Sequence, residues 1–296
     1  MLNVVLDIGF THFLNRSRGK IYKDWNNIIH DTIDADLLVM GSSSAKRQYD
    51  PRILDSLLSI NSYNIGRVAS NVKQQIVKYE VYRHYQRKKP SFLIVNFDCI
   101  RIWGRNSRYE REQFFPYITN LYMRKLIKKN EEFSIGELYV PMYRYYSQGF
   151  LWLINSANAK NDEFRECWYK GYGYYSSEWD GTALENIKSK KFNPLQDTVD
   201  EFDAFLSELQ QDGVKVIFVS PPIYIGVTEK IVNLSEFYDF RKRFSEKYDI
   251  PVLDYFYDSI SYNTACFHDA WHLNKTGAEL FTTKLCHDLD SLGLLK

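Results

Sequence analysis

The sequence has few cysteines, and those it has form no recognisable motif. Among its 296 residues are Cys99, Cys167, Cys266 and Cys286, without a Cys-x-x-Cys pair or the Cys/His spacing of a metal site. This argues against a zinc site and a disulfide framework, so buried free thiols are expected. A glycine-rich phosphate loop and a cluster of metal ligands are also missing from the pattern. No cofactor and no metal are therefore expected.

The sequence also has almost no net charge, which argues against a nucleic-acid partner. Its 38 Lys and Arg residues balance 37 Asp and Glu residues, giving a formal net charge of +1. A chain so balanced has no overall attraction to polyanions. The basic clusters at 83–89 and 188–191 are therefore interpreted as solvated faces.

A long apolar run is missing as well. The apolar segment 1–14 is interrupted by Asp7 and His12 and is too short to span a bilayer. It lacks the basic start and the small-residue cleavage site of a signal peptide. Two locations stay open. A periplasmic or cell-envelope location is expected if the segment is the end of a removed membrane anchor upstream, and a cytoplasmic one otherwise. The pattern does not indicate an oligomeric state.

A serine-rich turn follows the first strong strand signal. The apolar run at 37–40 is typical of a strand buried on both faces of a parallel sheet, and Gly41 ends it. Asp50 and Pro51 then predict an N-cap and the first turn of a helix. The hydroxyls of Ser42, Ser43 and Ser44 therefore lie on the loop after a buried strand, where ligands and chemistry collect in open α/β sheets.

A second group of polar residues lies near the other end of the chain. Asp269 and His272 are two residues apart, and Asn274 is a plausible N-cap for a last amphipathic helix. A serine nucleophile needs a base to take its proton, and the base needs an acid to fix its tautomer. Ser43, His272 and Asp269 can supply these three roles. Taken alone, a serine turn is more often a capping or anion-binding turn.

The alternation of strands and helices predicts the fold class. Strand signals at 37–40, 63–65, 91–98, 214–219 and 250–254 are separated by helical patterns. With right-handed crossovers they give an α/β fold, a three-layer α/β/α sandwich with a mostly parallel sheet of about five strands. Both motifs then lie at the same edge of the sheet. One domain over 1–296 is the simplest organisation, with 101–191 as an insertion on the substrate side.

The two motifs resemble the first and last sequence blocks of the SGNH hydrolases, also called GDSL-like lipases and acylhydrolases. Gly41-Ser42-Ser43 corresponds to the nucleophile block and Asp269-Ala270-Trp271-His272 to the Asp-x-x-His block. The continuation from His272 to Ala278 is similar to bacterial cell-envelope members that act on acylated polysaccharides. The resemblance implies a flavodoxin-like fold, with Ser43 as nucleophile, His272 as base and Asp269 as its orienting acid. The middle of the chain does not match.

The resemblance also implies an oxyanion hole. Its expected donors are the N–H of Ser43, the N–H of Gly66 and the side chain of Asn96. Gly66 could instead only close a turn. The family carries Gly-x-Asn-Asp at the end of the third strand, where this chain has Asn96, Phe97 and Asp98. An ionised Asp98 in the asparagine position would repel the oxyanion, so Asn96 is the better chemical candidate.

The stretch 101–191 is rich in aromatic residues. Rings with polar edges suit contacts with sugar rings or an acyl chain, while packing of the insertion onto the core is the alternative and is expected for most of them. The rings are Tyr139, Tyr143, Tyr145, Tyr146, Phe150, Trp152, Trp168, Tyr169, Tyr172, Tyr174, Tyr175 and Trp179.

The functional hypothesis from the resemblance is a serine esterase or acylhydrolase that removes a small acyl group, such as acetyl, from a carbohydrate or similar ester. Two alternatives stay open. A carbohydrate O-acetyltransferase would use the same acyl-enzyme with a different acceptor. A non-catalytic envelope protein would keep the fold and bind a glycan through the aromatic insertion. His268, next to Asp269, is a less favoured base than His272 because the Asp-x-x-His spacing selects the latter.

Overall fold

A five-stranded parallel sheet forms the centre of the fold. The computed structural model describes residues 1–17, 22–30, 33–99, 102–104, 111–128, 133–146, 169–181 and 188–295. The strands are β1 (Leu37–Met40), β2 (Ser62–Asn64), β3 (Phe92–Asn96), β4 (Lys215–Ser220) and β5 (Val252–Asp254). Their order is β2-β1-β3-β4-β5, and every neighbouring pair is parallel. This is the flavodoxin-like order, so the predicted α/β fold is confirmed.

Helices precede the first strand, connect the strands and follow the last one. In chain order they are α1 (Leu2–Leu14), α2 (Lys23–His30), α3 (Ser43–Gln48), α4 (Pro51–Leu58), α5 (Val72–Tyr85), α6 (Leu121–Ile127), α7 (Ile135–Tyr139), α8 (Tyr143–Tyr146), α9 (Gln196–Gln211), α10 (Ile225–Thr228), α11 (Leu234–Tyr248) and α12 (Lys275–Ser291). Short 3-10 helices cover Arg111–Tyr117, Ser259–Tyr262 and Thr264–Cys266. As the sequence predicts, Asp50 caps α4 by accepting from the N–H of Arg52, with Pro51 in the first turn.

The sheet buries a different set of side chains on each face, because successive residues of a strand point to opposite sides. One face packs against α3, α4 and α12, and its strand residues are Leu37, Val39, Phe92, Ile94, Ile217 and Val219. The other face includes Phe218, which meets Phe97 and Phe202 in an aromatic cluster with α9 and α11. The sheet is therefore the middle layer of a three-layer sandwich, as predicted.

The chain divides into two compact units. One comprises 34–79, 88–108 and 167–296 and contains the sheet; the other comprises 1–33, 80–87 and 109–166. The second unit has its own core of Leu14, Tyr22, Phe115, Ile118, Met142 and Tyr145. The predicted insertion at 101–191 contributes to both units, and a single domain over 1–296 stays a prediction. Phe150, Trp152 and Trp168 lie outside the described residues.

None of the described helices combines the length and the apolar character needed to cross a membrane.

A substitution in α12 tests how much the packing of this last helix stabilises the fold. Phe281 is fully buried, and its ring meets Tyr49 and Tyr255 edge-on, with centroids 5.2 Å apart in both pairs. Phe281→Ala is expected to lower the free energy of unfolding by about 3–5 kcal/mol through the cavity it leaves. Urea unfolding measures this. In the neighbouring control Leu280→Ala, whose side chain is 51% exposed, the change should stay within about 0.5 kcal/mol. Equal losses in both variants would contradict this packing.

Candidate active site

The serine turn is held tightly against the sheet. Gly41 follows β1, and a Cβ at this position would lie 2.6 Å from the Cβ of Asn96 and 2.7 Å from that of Ala45. Only glycine fits such an approach. Ser42 is the N-cap of α3, with its side chain accepting from the N–H of the second residue after it. Ser43 is therefore the first residue of a helix that follows β1 after Gly41 and Ser42.

The structure brings Ser43, His272 and Asp269 together. Ser43 Oγ lies 2.8 Å from His272 Nε2, although 229 positions separate the two residues. On the other side of the ring, Nδ1 lies 2.9 Å from both carboxylate oxygens of Asp269. The His272 ring is 18% exposed. In this arrangement the hydroxyl can donate to Nε2 while Nδ1–H donates to the carboxylate.

Several interactions favour the ionised form of the Asp269 carboxylate. Burial is the largest single influence and raises its pKa, but the hydrogen bond and charge of His272, together with two backbone hydrogen bonds, lower the pKa below its ordinary value. The backbone N–H groups of Trp271 and His272 also donate to Oδ1, at 2.8 and 2.9 Å. Such bonds favour the charged form. Asp269 can therefore fix the His272 tautomer and stabilise an imidazolium.

A small hairpin carries the acid and the base. The sequence predicts a loop here, but β6 (Phe267–Asp269) and β7 (His272–Leu273) pair antiparallel. Asn274 then caps α12 by accepting from the N–H of Gly277, at 3.0 Å. A Cβ on Gly277 would lie only 2.0 Å from the carbonyl oxygen of Cys266. The hairpin is thus fixed against the first turn of the last helix.

Of the two backbone N–H groups expected to hold the oxyanion, one already donates to another residue. Within the described part of the chain, no acceptor takes the N–H of Ser43. The N–H of Gly66, by contrast, donates to Asn64 Oδ1 at 2.9 Å. Gly66 still packs closely on α3, since a Cβ would lie 2.7 Å from the backbone nitrogen of Lys46. Its N–H is therefore engaged, and its role as an oxyanion donor stays a prediction.

Asn96 ends β3 beside the serine turn. Its side chain is fully buried, with Oδ1 accepting from the hydroxyl of Tyr49 at 2.9 Å. Burial raises the pKa of Tyr49 well above its ordinary value, so its phenol stays a donor. Asn96 Nδ2 makes no hydrogen bond of regular geometry to a described residue, although the amide lies close enough to the Asp98 carboxyl to lower the pKa of that group. A buried amide donor of this kind is what an oxyanion hole requires.

Asp98 lies on the opposite side of the same turn. Its Oδ2 accepts from Ser42 Oγ at 2.5 Å, and its carboxyl also interacts with the side chains of Asn96 and Ser44. Burial is the largest influence and raises the pKa of Asp98, while these hydrogen bonds and His272 act to lower it. Asp98 thus flanks the serine turn through Ser42.

Residues 169–181, part of the aromatic-rich stretch 101–191, run along the site. Arg47 on α3 donates to the carbonyl of Gly173 at 2.7 Å, and the N–H of Lys275 donates to the carbonyl of Tyr175 at 2.8 Å. The segment therefore contacts both helices that begin at the site. Such contacts have no spacing signal in the sequence, because they use backbone carbonyls.

Tyr175 lies directly beside the base. One face of its ring stacks on His268, with centroids 3.9 Å apart, and the centroids of Tyr175 and His272 are 5.7 Å apart at an interplanar angle of 65°. The guanidinium of Arg47 is 4.5 Å from the Tyr175 centroid. His268 Nδ1 bonds to Ser177 Oγ at 2.6 Å. His268 is therefore engaged in a stack, whereas His272 contacts the serine.

Metal ligands do not cluster at this site. In the part of the chain that the structure describes, no group of three or more His, Cys, Asp or Glu residues could hold a metal ion. Cys99, Cys266 and Cys286 are buried free thiols, and Cys167 lies outside the described residues.

Comparison with known proteins gives matches at the level of structure. No family model and no curated protein matches the sequence. A candidate lipolytic protein of the G-D-S-L family from Desulfitobacterium hafniense is 12% identical, with a TM-score of 0.42 over 85% of this chain and 97% of its own. A candidate acylhydrolase from Bacteroides fragilis is 11% identical, with a TM-score of 0.37 over 85% and 86%. A protein from Lactobacillus plantarum is 12% identical, with a TM-score of 0.43 over 88% and 99%.

These overlaps are loose, and the sheet itself is more informative. Its order is flavodoxin-like, the serine turn follows β1, and the Asp-x-x-His pair precedes the last helix. The fold is therefore flavodoxin-like, the type that the resemblance to the SGNH hydrolases implies. The two sequence blocks that carry the resemblance meet at the carboxyl edge of the sheet.

The buried carboxyl of Asp98 gives a pH-dependent prediction. A carboxyl whose pKa is raised in the folded protein binds its proton more tightly there than in the unfolded chain. It therefore lowers stability above its folded pKa, and this penalty disappears as the pH falls below the ordinary Asp value of about 3.9. Asp98→Asn removes the charge and still accepts from Ser42. We expect it to raise the free energy of unfolding at neutral pH but not at acidic pH, as measured by urea unfolding. A variant less stable than the parent at neutral pH would contradict this.

Proposed function

We propose that the protein is a serine esterase that forms an acyl-enzyme at Ser43 and releases the acyl group to water. The observation that carries the proposal is the 2.8 Å contact between Ser43 Oγ and His272 Nε2, with the Asp269 carboxylate on the other ring nitrogen. A serine becomes a nucleophile when an oriented base can take its proton.

The reaction follows from these contacts. His272 removes the Ser43 proton as Oγ attacks the ester carbonyl, and Asp269 stabilises the imidazolium that results. His272 then returns the proton to the departing alcohol. In the second half a water loses its proton to His272 and attacks the acyl-enzyme, which frees Ser43.

The developing oxyanion requires donors beside Ser43. The N–H of Ser43 is one, because it is at the first position of α3 and no described acceptor takes it. The buried Nδ2 of Asn96 is the second. Gly66 would contribute only if its N–H left Asn64.

The proposed substrate is a small acyl group, such as acetyl, on a carbohydrate. Aromatic side chains flank the hairpin that carries the base, and three of them are partly exposed: Tyr175, Trp179 and Tyr224. The rings of Trp179 and Tyr224 meet edge-on, with centroids 5.1 Å apart. The backbone N–H of Trp179 donates to the carbonyl of Phe267. Rings with polar edges suit the faces and hydroxyls of sugars.

Substitutions at the triad test the proposal directly. With p-nitrophenyl acetate and acetylated glycans as substrates, Asp269→Asn should lower kcat/KM by about 10³- to 10⁴-fold, because the imidazole loses its orienting acid. Ser43→Ala should remove nearly all turnover. His268→Ala is the matched histidine control, and its loss should be far smaller than that of His272→Ala.

The outcomes of this assay are distinct. Absence of acyl release from every ester by the parent, together with no labelling of Ser43 by a fluorophosphonate, would contradict the esterase. Glycan binding without turnover would then favour a binding protein. Transfer of the acyl group to an added sugar rather than water would indicate an O-acetyltransferase.

The oxyanion donor gives a separate prediction. Asn96→Ala removes Nδ2 and should lower kcat by about 10²- to 10³-fold with little change in KM, since the donor acts mainly on the transition state. Tyr49→Phe is the control, because it removes the hydrogen bond to Asn96 Oδ1 but keeps Nδ2. Equal losses of kcat in both variants would show that Asn96 acts only through the packing of its side chain.

A further inference from the structure

The first helix has its polar and apolar sides reversed. A surface helix in a water-soluble unit normally turns an apolar stripe inward and polar residues outward. In α1, Asp7, Thr11 and Asn15 follow each other at spacings of four and lie on one side, which faces the rest of its unit. The outward side is apolar, and its exposed members are Leu2, Val4, Val5, Leu6, Ile8 and Phe13.

The inward stripe is bonded to the protein through Asp7 and Thr11. Asp7, which is 8% exposed, forms an ion pair with Arg144 at 2.5 Å and accepts from the N–H of Met142 at 2.7 Å. Thr11 bonds to the hydroxyl of Tyr145 at 2.8 Å and accepts from Arg144 at 3.0 Å. Asp7 and His12 are the only ionisable side chains of α1. His12 is exposed near the C-terminal end of the helix, where its ring lies 2.8 Å from Arg16, and the exposed side chains from Leu2 to Ile8 are uncharged.

The exposed apolar side chains are of the kind that lipid favours. Leu, Ile, Val and Phe all favour the bilayer interior, whereas Leu and Val are under-represented among residues that carry binding energy in protein interfaces. Ionisable residues of lipid-exposed helices face the protein and pair there, as Asp7 does with Arg144. The pattern thus fits lipid better than a protein partner.

The unit that contains α1 carries exposed cations and tyrosines of the kind found at the polar border of a bilayer. Among its described acids, Asp7, Asp24 and Glu137 are buried, while Glu80 and Glu112 are half-buried. The exposed cations are Arg16, Arg87, Lys125 and Lys128. The exposed rings of α7 and α8 are Tyr139, Tyr143 and Tyr146. Tyrosines and cations of this kind occur at the headgroup level of anionic membranes.

We propose that α1 inserts its outward face into a lipid bilayer that carries anionic headgroups. The 13 residues of α1 are about 20 Å long, less than the roughly 30 Å of a hydrocarbon core, so these residues alone reach across only part of it. The acyl chains cover the outward face, while the cations and tyrosines of the same unit contact headgroups. The inserted helix stays attached to its unit through the Asp7–Arg144 pair.

Vesicle flotation tests this proposal. The full chain should float with vesicles of phosphatidylcholine and phosphatidylglycerol, and still float at high salt, because apolar insertion is not screened. Val5→Gln with Ile8→Gln, at side chains 62% and 63% exposed, should lower the partition coefficient at least about tenfold. Val232→Gln with Leu280→Gln, which are 72% and 51% exposed, is the matched control and should float like the parent.

Several results would overturn the proposal. A parent that does not float, an α1 variant that floats equally well, or binding abolished by salt would each do so. A dimer that light scattering detects without lipid, and that the α1 variant dissociates without any vesicle binding, would assign the face to a second copy instead. Equal urea unfolding midpoints in both double variants and the parent exclude misfolding as the cause.

A second measurement places the helix without weakening it. Ile8→Trp adds a fluorophore to the outward face, and brominated acyl chains should quench this added fluorescence. Val232→Trp is the control and should show no quenching beyond that of the parent. Equal quenching in the two variants would overturn the insertion of α1.

Discussion

The contact between Ser43 and His272 depends on the parallel arrangement of the sheet. All five strands run in the same direction, so the turn after β1 and the hairpin before α12 emerge at one edge although they are far apart in sequence. β1 is the second strand of the sheet, between β2 and β3, so the serine turn has a neighbouring strand end on each side. Close packing then fixes the distance, since Gly41 and Gly277 each lie where a Cβ would collide with neighbouring atoms.

The electrostatics around the serine turn are asymmetric. Asp269 is held ionised behind the imidazole by His272 and by two backbone N–H groups, whereas burial raises the pKa of Asp98 on the other side of the turn. A carboxylate behind the base assists proton transfer from Ser43. A second negative charge close to the developing oxyanion would oppose it. The buried amide of Asn96 is therefore a better donor for the proposed oxyanion than the carboxyl of Asp98.

The sequence predicts the elements whose signals are local. The apolar run at 37–40, the Asp50-Pro51 cap and the Asn274 cap each depend on neighbours along the chain, and each appears in the structure as expected. The Asp-x-x-His spacing likewise selects His272 over His268. Other features depend on distant partners and leave no local pattern, as in the stack of Tyr175 on His268. The bond from the N–H of Gly66 to Asn64 is local, but the glycine by itself does not indicate it.

The central claim concerns one proton. Ser43 can donate to His272 Nε2 only if the neutral ring carries its proton on Nδ1, toward Asp269. Nitrogen-15 NMR of the protein with labelled histidine measures this tautomer directly. We expect His272 at neutral pH to be protonated at Nδ1, with that signal lost or moved in Asp269→Asn. A neutral His272 protonated at Nε2 instead would contradict the account, because Nε2 would then have no lone pair to accept from the Ser43 hydroxyl.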